Sequence, residues 1–129
     1  MQAGQLTTLT AAVKDVDAAL ATFQKNFGFA LARRTTDATT GSSSAFLTIG
    51  KAEIELRSGA SGAAAESIAA RGEGLFQIEL EVPDLNAAQA TLQERGLRSE
   101  LETDAGGRRL LRVDVAHTHG VPLVLSQAA

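Results

Sequence analysis

The segment VKDVDAALATF, Val13 to Phe23, returns as VPDLNAAQATL, Val82 to Leu92, at a constant offset of 69 residues. In each copy an apolar strand runs into Asp15 or Asp84, whose carboxylate can cap the helix that follows, and apolar side chains then recur with a helical period. A chain that repeats a strand-to-helix unit at about half its own length is built from two equal modules. The offset also assigns each position in one module a structural partner in the other.

With 129 residues, 44% of them hydrophobic and 21% charged, the chain is the size of a single globular domain built from two halves. A net charge of −3 gives no basic footprint for nucleic acid, and aromatic residues that could stack on bases make up only 4%. Cysteine is absent, which excludes disulfides, thiolate metal sites and cysteine nucleophiles. The opening MQAGQLTTLT lacks the basic start and apolar run of a signal peptide, and no stretch reaches membrane-spanning length, so a cytoplasmic protein without a membrane partner is expected.

Periodicity places a strand over Leu6 to Val13 and a helix over Val16 to Asn26, ended by Gly28. Strands follow at Phe29 to Thr35, Ser44 to Ile49 and Ala52 to Arg57, separated by turn-prone segments at 39–43 and 50–51. Module one is therefore βαβββ, over residues 1–57. Residues 58–73 form a Gly-, Ala- and Ser-rich surface linker with a short helix available over Ala63 to Ala70. Module two, residues 74–129, repeats the order: strand Leu75 to Val82, helix Leu85 to Arg95 ended by Gly96, and strands near Leu97 to Glu102, Arg109 to Val115 and Val121 to Ser126, with a turn at 104–108.

Within the strands, Phe76, Ile78, Leu80 and Val82 alternate with Gln77, Glu79 and Glu81, and Ile54 and Leu56 alternate with Glu53, Glu55 and Arg57. Each sheet should pack its apolar face on its helix and turn a polar face elsewhere. If the two mixed sheets curve together, these polar faces line a cup, the default place for a ligand.

The double βαβββ pattern, the strand-to-Val-x-Asp-helix signatures, and the closing IELRS and GVPLVLSQ strands resemble the vicinal oxygen chelate superfamily of glyoxalases, methylmalonyl-CoA epimerases, extradiol dioxygenases and bleomycin resistance proteins. The resemblance covers essentially the whole chain. It implies an α+β fold of two tandem βαβββ modules related by a pseudo-twofold axis, with curved sheets forming the cup. In metalloenzymes of that superfamily the ligands come from the first and last strands of each module. The matching positions here are Thr8, Glu55, Gln77 and Val124, and both pairs obey the 69-residue offset.

Those four side chains do not make a metal site. Valine cannot ligate, threonine is a poor neutral ligand, and one carboxylate with one amide does not offset the lost hydration of a divalent ion. No metal and no other cofactor is expected. The resemblance then points to the metal-free, bleomycin-resistance-like members, which bind an intact small organic molecule.

Glu55 admits two readings. In a partly apolar cup without a cation, desolvation would raise its pKa and suit it to acid or base catalysis; paired with Arg57 or Arg112, it would complete a polar lining. Gln77 can orient a carbonyl or hydroxyl of a ligand. Thr8, Val124, Phe46, Arg57 and Arg112 complete the candidate ligand-binding set. His117 and His119 have the i, i+2 spacing of two imidazoles on one side of a strand, or belong to a turn with both rings solvated. Arg33-Arg34 and Arg108-Arg109 could attract an anion, but adjacent strand residues point to opposite faces. GlyGluGly at 72–74 precedes a strand and so is no phosphate loop, and no Gly-x-Ser-x-Gly motif occurs.

Small-molecule binding without a metal is the leading expectation. The competing one is an epimerase, lyase or isomerase using Glu55 as acid or base, with or without a weakly held divalent metal. A homodimer is expected in either case, because an open sheet edge in each half needs cover.

Overall fold

A computed structural model describes residues 2–38, 40–59, 61–104 and 106–128. Thr39 and Ala105, in two expected turns, and Ala60 of the expected linker lie outside the described residues. The elements are β1 (Gln5–Ala12), α1 (Val16–Phe27), β2 (Ala30–Asp37), β3 (Ser42–Ile49), β4 (Ala52–Ser58), α2 (Ala63–Arg71), β5 (Gly74–Val82), α3 (Leu85–Glu94), β6 (Ser99–Thr103), β7 (Arg109–Val113) and β8 (Leu123–Gln127). The α+β class and the repeated βαβββ order follow directly. The chain divides into two compact units, Thr8–Phe76 and the remainder, which consists of the residues up to Thr7 and those from Gln77 onward.

In the first unit the strand order is β2-β3-β4-β1, with β1 parallel to β4 and the other neighbours antiparallel. Helix α1 covers one face, burying Val16 and Leu20 against Val13, Ala45, Leu47 and Leu56. Leu47 and Leu56 are fully buried, each contributing about 2 kcal/mol of transfer free energy. Helix α2 forms where the linker was expected and is more than surface: Ala64 packs with Ala12 and Phe76 in a second small cluster, flanked by Ile68. Phe76 therefore parts company with Leu80 and Val82, its neighbours in the alternation, which pack with α3.

In the second unit the order is β5-β8-β7-β6, with β5 parallel to β8. The start of the chain lies alongside β5, Gly4 N–H donating to the Glu81 carbonyl at 2.8 Å. Helix α3 buries Leu85, Ala88 and Leu92 against Val82, Leu111, Val113 and Leu125.

The internal repeat holds down to single hydrogen bonds. The Asp15 carboxylate accepts from Ala18 N–H and the Asp84 carboxylate from Ala87 N–H, both at 3.1 Å, so each helix starts on the same cap. The Thr22 and Thr91 hydroxyls donate to the carbonyls of Ala18 and Ala87 at 3.1 and 3.0 Å. Strand register repeats too: Thr10 faces Glu55 across β1 and β4, and Glu79 faces Val124 across β5 and β8. The helix ends differ. Gly28 caps α1 in the left-handed region at φ 70°. Beyond α3, Gly96 (φ 73°) bonds back to Gln93 and Leu97 to Leu92, a pattern that turns the chain sharply towards β6.

Five strand ends depart from the sequence reading by two residues: β2 runs on to Asp37, β3 begins already at Ser42, β6 begins only at Ser99, β7 stops at Val113, and β8 begins only at Leu123. Beyond Val113, Asp114 accepts from Ala116 N–H at 2.9 Å and starts a short 3-10 turn, Val115–His117. The two histidines thus lie on a turn and not a strand. His119 adopts a left-handed backbone (φ 55°), whereas His117 is half-buried, its Nε2 without a hydrogen-bond partner among the described residues.

Candidate functional site

Strand register places the candidate residues in rows. Directly opposed residues share a sheet face, so Arg33, Phe46, Glu55 and Thr10 form one row across β2, β3, β4 and β1, and Thr35, Ser44, Arg57 and Ala12 form the next. Glu53 and Thr8, paired with each other, belong to the row on the other side. This is the face opposite α1. Period-two alternation in β4 dictates it: Ile54 and Leu56 go to the helix, Glu53, Glu55 and Arg57 to the polar side.

Glu55 is the centre of the face. It is 5% exposed, and both its oxygens are occupied. Arg57 donates Nε to Oε2 at 2.9 Å and Nη2 to Oε1 at 3.0 Å, Ser44 donates to Oε2 at 2.6 Å, and Thr10 donates to Oε1 at 2.8 Å. Burial is the largest single influence on its pKa and pushes it up, but the Arg57 guanidinium and the two hydroxyls together outweigh burial and hold the carboxyl below its ordinary range. Arg57 is thus the ion-pair partner of Glu55.

Arg33 makes a second ion pair on the same face. Its guanidinium grips Glu53 at 2.6 and 3.0 Å while lying over the Phe46 ring, 3.9 Å from the centroid. The Arg57 guanidinium in turn lies 5.6 Å from the centroid of Phe76. Thr8 is buried and paired with Glu53 in register, with no side-chain bond of its own among the described residues.

The second unit carries a separate polar cluster. Gln77 and Glu79, read as a polar strand face, are both 3% exposed, so that face is covered and not solvated. Glu79 accepts from Arg108 Nη1 and Nη2 at 2.9 and 2.8 Å and from the Thr7 hydroxyl at 2.8 Å. Arg108 also donates to Asp104 at 3.2 Å, and the Glu79 bonds are the main reason its pKa is raised further. Arg112 holds Glu102 through Nε and Nη2 and gives Nη2 to the Gln77 amide oxygen at 2.9 Å. Val124, fully buried, stands between Glu79 and Arg112 in register.

The family model for the Glyoxalase/Bleomycin resistance protein/Dioxygenase superfamily matches residues 9–111. The chain belongs to this superfamily. No curated protein matches it. Among solved structures, the methylmalonyl-CoA epimerase of Mycobacterium tuberculosis superposes with a TM-score of 0.88 at 23% identity, covering 98% of this chain and 89% of that one. A variant of the Streptomyces coelicolor methylmalonyl-CoA epimerase, in complex with 2-nitronate-propionyl-CoA, reaches 0.88 at 22% identity over 99% and 96% of the two chains. A hypothetical protein from Bacillus halodurans C-125 reaches 0.89 at 23%, over 97% and 94%. At these identities the likeness shows the superfamily fold.

The donor set does not fit the metal that many members of the superfamily carry. Val124 has no donor atom, and the Gln77 amide oxygen already accepts from a guanidinium. Both Glu55 oxygens face Arg57, whose charge would repel a cation held there. Among the described residues, no group of three or more His, Asp or Glu side chains could hold a metal ion.

Sequence reasoning placed Glu55, Arg57 and Phe46 in the candidate set, named Glu53 only as part of the polar alternation and Arg33 only as half of a pair that could attract an anion, and passed over Thr10 and Ser44, which complete the same face. Ser44 was reachable by stepping two residues back from Phe46 along β3. The Arg33 pairing was not, because a register shift between Leu31 and Arg33 decides where that side chain lands.

Proposed function

We propose that the chain binds a small organic molecule on the polar sheet face of its first unit, without a catalytic metal, in the manner of the sequestration and resistance members of the superfamily. The observation that carries this reading is the state of Glu55: buried, anionic, and occupied on both oxygens by Arg57, Ser44 and Thr10. A general base works best with a pKa near the working pH and a free lone pair aimed at the substrate. Glu55 has neither, while a rigid array of ion pairs suits holding a ligand in one orientation.

One observation favours a second reading, an epimerase or related isomerase acting on an acyl-CoA: solved structures that superpose over 98% and 99% of the chain are methylmalonyl-CoA epimerases. Incubation with methylmalonyl-CoA in deuterated buffer, followed by proton NMR of the α position, separates the two. No exchange above a protein-free blank is the expected result. Exchange that tracks protein concentration would overturn the binding reading.

The same proposal includes a homodimer in the cytoplasm. Support for the dimer comes from β2, an edge strand with seven of its eight residues exposed, and from Phe27, 62% exposed beside it in sequence. Among the described residues no helix is long and apolar enough to cross a membrane.

A further inference from the structure

The polar face of the first unit uses one device twice. Arg33 is fixed in its plane by Glu53 and lies over Phe46; Arg57 is fixed in its plane by Glu55 and lies towards Phe76. Each guanidinium is neutralised at its edge by a carboxylate and has an aromatic ring on one side. A guanidinium so held loses little freedom when something flat is laid on its open side, and its delocalised charge attracts a π-system there. Arg33 is accessible for this, its side chain being 51% exposed.

Arg57 adds a directional group. Its Nε and Nη2 are spent on Glu55, which leaves Nη1 with no bond among the described residues. The Arg57 side chain is 28% exposed, so it can be reached from solvent. The bidentate grip of Glu55 points the free N–H pair away from the carboxylate. An incoming oxygen acceptor would find a donor already oriented, at the cost of only its own desolvation.

Resting on the small-molecule reading above, we infer that the ligand class is a planar aromatic molecule bearing a carboxylate or carbonyl oxygen at its edge, stacked on Arg33 and accepting from Nη1 of Arg57. A flexible aliphatic thioester chain could give its carbonyl oxygen to the fixed donor but would leave the flat platform unused.

The test uses the whole protein, labelled with 15N and with 13C phenylalanine, and two probes of like length and charge: 2-naphthoate and its saturated counterpart, decahydro-2-naphthoate. The expected result is that 2-naphthoate binds about tenfold more tightly than the saturated acid, shifting the Phe46 ring and Arg57 Nε signals. Arg57→Lys keeps a cation beside Glu55 but loses the planar fork, and should weaken 2-naphthoate about tenfold. Phe46→Leu should narrow the gap between the two acids. If both acids bind alike at these residues, the inference falls while small-molecule binding stands. If neither perturbs these signals, the inference is overturned, and the α-proton exchange and a broader ligand screen judge the proposed function separately.

Discussion

Glu55 shows how pairing decides the character of a buried carboxylate. Removing its main partner would leave a charge at 5% exposure with only two hydroxyls to hold it. Arg57→Leu is therefore expected to cost about 2 kcal/mol in chemical denaturation, reduced from the value for a fully buried pair because Arg57 is itself 28% exposed. The loss should shrink when Glu55→Gln is combined with it, since the orphaned charge is then gone; independent, additive losses would show that the two groups are not coupled. The pH dependence has a definite sign. Unfolded, the Glu55 carboxyl titrates near 4.5; folded, it titrates lower, so its contribution is fully present above about pH 4.5 and drains away as the pH falls through the folded value. Glu55→Gln should flatten that part of the acid limb. An unchanged slope below pH 4.5 in the variant would refute the assignment.

At the scale of elements, the repeat makes α1 and α3 a matched pair of experiments. Asp15 and Asp84 cap their helices at the same 3.1 Å distance and with nearly the same backbone angles. Asp15→Ala and Asp84→Ala should each cost about 1 kcal/mol by urea denaturation. A difference of more than about 1 kcal/mol between them would mean that the caps are not equivalent, whatever the sequence likeness. The strands were legible for a related reason. Alternation in β4 assigns Leu56 inward and Glu55 to the polar face without knowledge of any neighbour, because successive strand side chains must point to opposite faces.

For the whole molecule, the donor chemistry predicts that protein purified after exposure to excess zinc, nickel or manganese and then desalted retains well under one equivalent by elemental analysis. Stoichiometric metal, lost to chelator together with an activity, would sink the metal-free reading and promote the enzyme. The proposed dimer is checked by light scattering at micromolar concentration, where twice the chain mass of 13.4 kDa is expected and a monomer would count against it.

Local rules were enough for the parts of this protein that local forces decide. The 69-residue repeat, the two aspartate caps and the two-residue alternation of β4 were readable from the chain because each rests on neighbours a few bonds away. From these came the α+β class, the paired βαβββ order and the place of Glu55 on a polar sheet face. The tertiary structure decided what depends on partners distant in sequence. Phe76 packs with Ala12 and Ala64 and not with Leu80 and Val82, and the short helix read within the linker acquired a buried face. Desolvation alone would have raised the pKa of Glu55; it is lowered because Thr10, Ser44 and Arg57 converge on it from three strands. Arg57 stands two residues along the same strand, but strand register brings Thr10 and Ser44 to the carboxylate, and register is a property of the assembled sheet, which no single segment of the sequence contains.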